Sequence, residues 1–159
     1  MMEALKQPLR ELTEYQEADN ILLSGQGPVA LSGCVDAAKA HLISGLCAGG
    51  GIKLVVTYSD QRAKELYEDL KGLFPQVYRY PAKDLLFYSA DVHGNALTRQ
   101  RLAVVRAIME GQDGIVVTTI DGCMDPLVPL EELSEKLLLL ERMPGISLLR
   151  YINQQTVPG

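Results

Sequence analysis

Four short apolar runs, bounded by turn residues and separated by stretches of helical period, constrain this chain more than any other feature. They are Val29–Ser32, Ile52–Tyr58, Gln76–Tyr80 and Gly114–Thr119. Runs of this length, rich in Val, Ile, Thr and Tyr, read as strands. The unbroken Leu54-Val55-Val56 reads as a strand buried on both faces, the habit of a parallel sheet. Gly114–Thr119 is the most strand-like of the four.

Helical patterns fill the gaps. Asp36–Cys47 carries Leu42, Ile43 and Leu46 inward and stops at Gly49-Gly50-Gly51. Ser59 or Asp60 caps the next helix, whose Ala63, Leu66, Tyr67 and Leu70 fall at i, i+3, i+4 and i+7 before Gly72 closes it. Leu97–Glu110 places Leu102, Val105, Ile108 and Met109 inward and ends at Gly111. Ahead of the first strand, Pro8–Ile21 reads as one amphipathic helix with Leu9, Leu12, Tyr15 and Ile21 on its apolar stripe. Pro81–Asn95 has no firm period and reads as a surface loop with a short helical turn. Four strands alternating with helices predict an α/β fold, a parallel sheet wound right-handedly. Beyond Asp125-Pro126 the rhythm changes: a short helix at Pro129–Glu135, a strand at Leu137–Glu141 and helix-like Ser147–Gln154 look like the opening of a second domain.

The turn after the first run matters chemically. Gly33-Cys-Val-Asp-Ala-Ala-Lys-Ala40 has the layout of a phosphate-binding loop, Gly-x-x-x-x-Gly-Lys-Ser/Thr, between a strand and a helix. In that loop glycines let backbone N–H groups curl around phosphate, the lysine reaches the outer phosphates, and the hydroxyl joins the magnesium shell. Gly33 and Lys39 remain. Ala38 puts a methyl group where the backbone approaches phosphate, Ala40 removes a metal ligand, and Asp36 sets a negative charge inside the cradle. Together these argue against ATP turnover. They favour a plain strand–turn–helix in which Lys39 is a solvated helix residue. A complete nucleotide site also needs an acidic strand end; Asp121 offers one carboxylate, but a helix or turn cap is its simpler role.

Composition excludes several classes. With 159 residues, 47% hydrophobic and 22% charged, the chain can bury a normal core. A formal net charge of −5 leaves no overall basic footprint for nucleic acid. The densest basic cluster, Arg99 and Arg101 with Arg106, reads as a solvated helix face. Cys34, Cys47 and Cys123 form no CxxC pair and no metal spacing, and an odd count of thiols without a signal peptide points to a reducing cytoplasm. Leu137–Leu140 is far short of the about 20 residues of a membrane helix. His41 and His93 have no evident catalytic partner in sequence.

The order of the pieces carries a resemblance. Val56-Thr-Tyr-Ser-Asp-Gln-Arg-Ala-Lys-Glu-Leu-Tyr-Glu-Asp-Leu70 resembles the second strand and helix of helicase-type domains. Tyr80-Pro-Ala-Lys-Asp-Leu-Leu-Phe-Tyr88 resembles a "Phe-Pro-x-x-Glu-x-Leu-Pro-Tyr" segment in the N-terminal part of bacterial transcription-repair coupling factors (Mfd). Arg101-Leu102, Ile108–Thr119 and the Gly122-Cys-Met turn resemble that family's "Arg-Leu…Leu…Gly…Gly-Ile-Val-Val" helix and strand. The likeness runs from about Leu9 to Gln154. UvrB, the damage-verifying helicase of nucleotide excision repair, shares the layout, but it keeps an intact phosphate loop and a tyrosine-rich hairpin. Here that place holds only Phe87 and Tyr88, read as a loop anchored by its aromatics.

The resemblance implies a P-loop NTPase-like, RecA-like three-layer domain with a degenerate loop. Its divisions are an N-terminal helix (1–20), a UvrB-like domain 1a (21–134) and the truncated start of an inserted UvrA-binding domain (135–159). It implies a cytoplasmic, non-catalytic module with no cofactor of its own, which contributes to UvrA recruitment and autoinhibition. ATP, magnesium, duplex DNA and RNA polymerase are handled by other parts of a longer parent, and UvrA contacts lie mostly beyond Gly159. Gly33, Asp36, Ala38, Lys39 and Ala40 mark a vestigial loop. The competing expectations are a divergent UvrB-like domain that still holds ATP, and a bare α/β spacer.

Overall fold

Gly114–Thr119 forms a strand with all six residues buried, and the sheet is assembled around it. The structure, a computed structural model, describes residues 2–47, 49–82 and 91–125. The elements are α1 (Met2–Arg10), α2 (Thr13–Ser24), α3 (Asp36–Leu46), β1 (Ile52–Thr57), α4 (Asp60–Lys71), β2 (Val77–Tyr80), α5 (Asp91–Met109), β3 (Gly114–Thr119) and α6 (Ile120–Met124). The strand order is β1-β3-β2, with both pairings parallel. Ile52 pairs with Gly114 and Thr57 with Thr119 on one side of β3; Val77 pairs with Ile115 and Tyr80 with Thr118 on the other.

The pleat divides β3 between two cores. Ile115 and Val117 face α3 and α4, where they meet Ala40, Ala63, Leu66, Leu70 and Phe74. Val116 faces α5, where it meets Val104 and Tyr80, with Ile52 and Tyr78 partly buried against them. The link from β1 through α4 to β2 steps across β3, whereas the link through α5 steps back toward the centre. Crossovers that run in opposite directions with one hand place their helices on opposite faces. The α/β expectation therefore holds: three parallel strands lie between two helical layers.

Local signals explain most boundaries. Ser59 caps α4, its hydroxyl accepting the Arg62 N–H at 3.2 Å, and Leu70 is fully buried at the far end of the expected stripe. The three glycines after α3 are held from within, because the Lys53 ammonium donates to the carbonyls of Gly49, Gly50 and Gly51, and the Asp113 carboxylate accepts the Gly51 N–H. On α5, Arg101 ties three elements together. Its guanidinium donates to the Pro81 carbonyl at 2.9 Å and to Asp125 at 2.8 Å, and it lies over the Tyr80 ring at 4.2 Å. Thr118 adds a buried hydrogen bond from its hydroxyl to the Tyr80 carbonyl at 2.7 Å.

Several expectations require correction. Val29–Ser32 is not a strand: it joins no ladder, and Leu31 is half exposed. The run is four residues long and closely flanked by Gly27 and Gly33, both at positive φ, so turns consume its ends. Pro8–Ile21 is two helices, with Leu12 extended between them at ψ 122°. Tyr15 then packs on α3 at Gly45, where an added Cβ would come within 2.8 Å of its hydroxyl oxygen. Asp91–Asn95, read as loop, belongs to α5; a single helical glycine costs only about 1 kcal/mol, which packing along the rest of the helix outweighs. Among the described side chains of α5, Val104, Val105 and Ala107 are buried, while Ile108 is 41% exposed. In α3 the buried residues are Ala40, Ser44 and Gly45, with Leu42, Ile43 and Leu46 half-buried. Phe87, Tyr88 and everything read beyond Asp125 lie outside the described residues.

The two kinds of apolar helix position should separate on truncation. Leu70→Ala is expected to cost about 2–5 kcal/mol, the range for a fully buried leucine. Ile108→Ala should cost well under half of that. Urea unfolding followed by circular dichroism measures both, and equal losses would contradict the packing described for α5.

Candidate functional site

The loop from Gly33 to Ala40 turns at Gly33, whose φ of +74° suits glycine, and enters α3 at Asp36. Val35, extended at ψ 149°, precedes the helix and supplies no side-chain cap. Ala38, Lys39 and Ala40 therefore occupy the first turns of α3, as the phosphate-loop reading requires. The strand that should feed the loop is missing, because residues 29–32 are irregular.

Electrostatics at the loop centre on Asp36. The Lys39 ammonium donates to the Asp36 carboxylate at 2.6 Å, and the Arg62 guanidinium of α4 approaches the same oxygen at 3.4 Å. Arg62 also pairs with Glu65 at 3.1 Å. A hydrogen bond from Lys39, then the charges of Lys39 and Arg62, hold the Asp36 carboxyl below the usual carboxylate range. The residue that would reach for outer phosphates thus already has an anionic partner inside the loop. Because the pair is exposed, its contribution to folding is small.

Ala40, the position of the missing hydroxyl, is only 3% exposed and belongs to the core cluster with Ala63, Leu66 and Leu70. Beside the loop lies an open hollow of about 550 Å³, lined by Leu31, Cys34, Lys39, Leu42, Arg62 and Ile120 among others. Its wall is chiefly apolar, and its two cations are those already engaged by carboxylates. Asp121 sits exposed in the first turn of α6, but it is not the cap. Thr119 fills that role, its hydroxyl accepting the Gly122 N–H at 3.1 Å. The sequence carried that signal as a Thr three residues ahead of a helix-turn glycine.

The remaining candidates separate. Of the basic cluster, Arg101 is committed to Asp125, Pro81 and Tyr80, and Arg106 to Glu110 at 2.5 Å, while Arg99 is exposed. Burial pushes the Cys47 thiol up, partly offset by Lys53 and Lys6, whereas Cys123 is exposed. All three cysteines are free. Among the described residues no group of His, Cys, Asp and Glu could hold a metal ion, and no helix is long and apolar enough to cross a membrane.

Asp36 gives a direct titration test. With a depressed carboxyl, the ion pair is whole above the ordinary carboxylate range and is lost only as pH falls through the lowered value. In an NMR titration the Asp36 carboxyl carbon should move below the range of the exposed carboxylates. Lys39→Ala should return it toward that range, and an Asp36 unaffected by this change would contradict the pairing.

Comparison with known proteins adds a sequence relationship. The transcription-repair-coupling factor of Staphylococcus aureus strain USA300 is 22% identical to this chain over 126 residues, which cover 77% of the chain and 11% of that protein. The factors of strains NCTC 8325 / PS 47 and MRSA252 match with the same identity over the same length. This chain therefore spans 11% of the length of these relatives. No family model matches it.

Proposed function

We propose that this chain is a non-catalytic α/β module of a transcription-repair-coupling factor. Its work is to present protein surfaces, contributing to UvrA recruitment and to autoinhibition, while an ATP-dependent DNA translocase elsewhere in a longer parent displaces stalled RNA polymerase. The observation that carries the reading is the relationship to the S. aureus factors, which runs along 77% of the chain. The degenerate loop supports the non-catalytic part. Lys39 is paired with Asp36, Ala40 is packed into the core, and the strand that should precede the loop is absent. A loop of this kind has neither the free lysine nor the hydroxyl that nucleotide and magnesium require. Arg101 and Arg106 of α5 are paired with carboxylates, and the net charge is negative, which supports protein rather than DNA contacts.

Two titrations test the proposal. Mg·ATP titrated calorimetrically into the chain should give no heat of binding at millimolar nucleotide, with or without Lys39→Ala. Purified UvrA passed over the immobilised chain should give a saturable, salt-tolerant response. Micromolar nucleotide binding abolished by Lys39→Ala would replace this reading with that of a divergent nucleotide-binding domain. Absence of any UvrA response would remove the recruitment role and leave a structural spacer.

A further inference from the structure

The N-terminal pair α1–α2 meets the rest of the fold through a small notch. Among its described side chains the buried ones are Leu9, Tyr15 and Ala18, and every residue from Asn20 to Ser24 is exposed. Leu9 and Tyr15 close on Gly45 of α3. An added Cβ there would lie 2.8 Å from the Tyr15 hydroxyl oxygen and 3.0 Å from a Leu9 methyl, so glycine is what lets the pair approach. Beside the notch the Lys6 ammonium lies over the Phe74 ring at 5.4 Å. Neither of the two cores built on β3 includes a residue of α1 or α2.

The tether that follows adds little hold. Residues 26–35 run from α2 to α3 without a helix, a strand or a buried side chain. From Gly27 to Cys34 no backbone group hydrogen-bonds to another backbone group among the described residues. The two helices are 9 and 12 residues long, and isolated helices shorter than about 12–15 residues are marginal in water. Their helical state therefore depends on docking at Gly45, whereas the sheet keeps both of its cores without them. We propose that α1–α2 is a clasp that undocks from Gly45 and melts as one unit while the three-stranded sheet stays folded. Opening it bares the face of α3 at Gly45 and uncovers Cys47, whose thiol lies near both Lys6 and Tyr15. This inference is independent of the functional reading above, since it concerns only which part of the chain opens first.

Hydrogen exchange of the full chain, followed by NMR at rising urea below the unfolding transition, reads the opening directly. The amides of α2 should share one opening equilibrium and exchange many-fold faster than those of β3. Their urea dependence should be weaker, because less surface is exposed. Gly45→Ala should speed the α2 amides many-fold further and leave β3 unchanged. Alanine is the better helix former, so that loss would not come from a weakened α3. Tyr15→Ala, which empties the notch from the other side, should act in the same way. In a Cys34→Ser, Cys123→Ser background, labelling of Cys47 by excess thiol reagent should rise with Gly45→Ala by the same factor as α2 exchange. Amides of α2 that share the urea dependence of β3 overturn the proposal, because the pair would then open only with the whole fold. So do α2 amides with no common opening, or Cys47 labelling that does not follow them. Substitutions at the notch that leave α2 unchanged, or that speed β3 equally, overturn it too.

Discussion

Everything in this fold depends on one strand being dry on both sides. β3 places Ile115 and Val117 in one core and Val116 and Thr118 in the other, and each of its neighbours is tied to it in parallel register. Burying a side chain of this size stabilises by about 1.5–3 kcal/mol, so the strand is the principal anchor for both helical layers. The cost is that a polar residue within it must find a partner. Thr118 does so by donating to the Tyr80 carbonyl, which joins the ends of β3 and β2 where Arg101 also meets Asp125 and Pro81. The C-terminal end of the sheet is thus fastened by polar contacts, the middle by packing.

How well the sequence foretold this follows from how local each cause is. α4 was legible because cap, stripe and stop lie within fourteen residues, Ser59 to Gly72, and none depends on distant contacts. β3 was legible because five apolar or β-branched residues in a row admit few alternatives. Val29–Ser32 was misread because its composition suits a strand, yet a strand also needs a neighbour with which to pair. The break at Leu12 was missed for a similar reason: the helical stripe continues through it, and the packing of Tyr15 against Gly45 is a tertiary fact. In α5 the choice between Val104 and Ile108 turned on where the helix meets Tyr80 and Val116, which no period records.

The candidate site shows the same division. The positions of Gly33, Lys39 and Ala40 at the start of a helix could be read from spacing alone. That Asp36 engages Lys39 and also draws Arg62 from α4 could be read only in part. An i, i+3 pair of opposite charge is visible in sequence, but a guanidinium from the next helix is not. The consequence is chemical. A lysine beside a free backbone cradle is an anion receptor, whereas a lysine beside its own carboxylate is half of a neutral surface pair.

Ala40 gives the loop its sharpest physical argument. Its side chain lies in the cluster of Ala63, Leu66, Leu70 and Val117, at the place where α3 and α4 close on the sheet. A serine or threonine in that position would carry a hydroxyl into an apolar contact, and an unsatisfied buried hydroxyl costs about 1–3 kcal/mol. A bound metal can offset such a cost by taking the hydroxyl as a ligand, but only while it is bound. Alanine removes the conflict and lets the helix pack in the absence of any ligand. The same substitution that deprives the loop of a magnesium ligand therefore makes its helix a better component of the core. A turn and helix packed in this way hold the start of α3 fixed against α4 and the sheet.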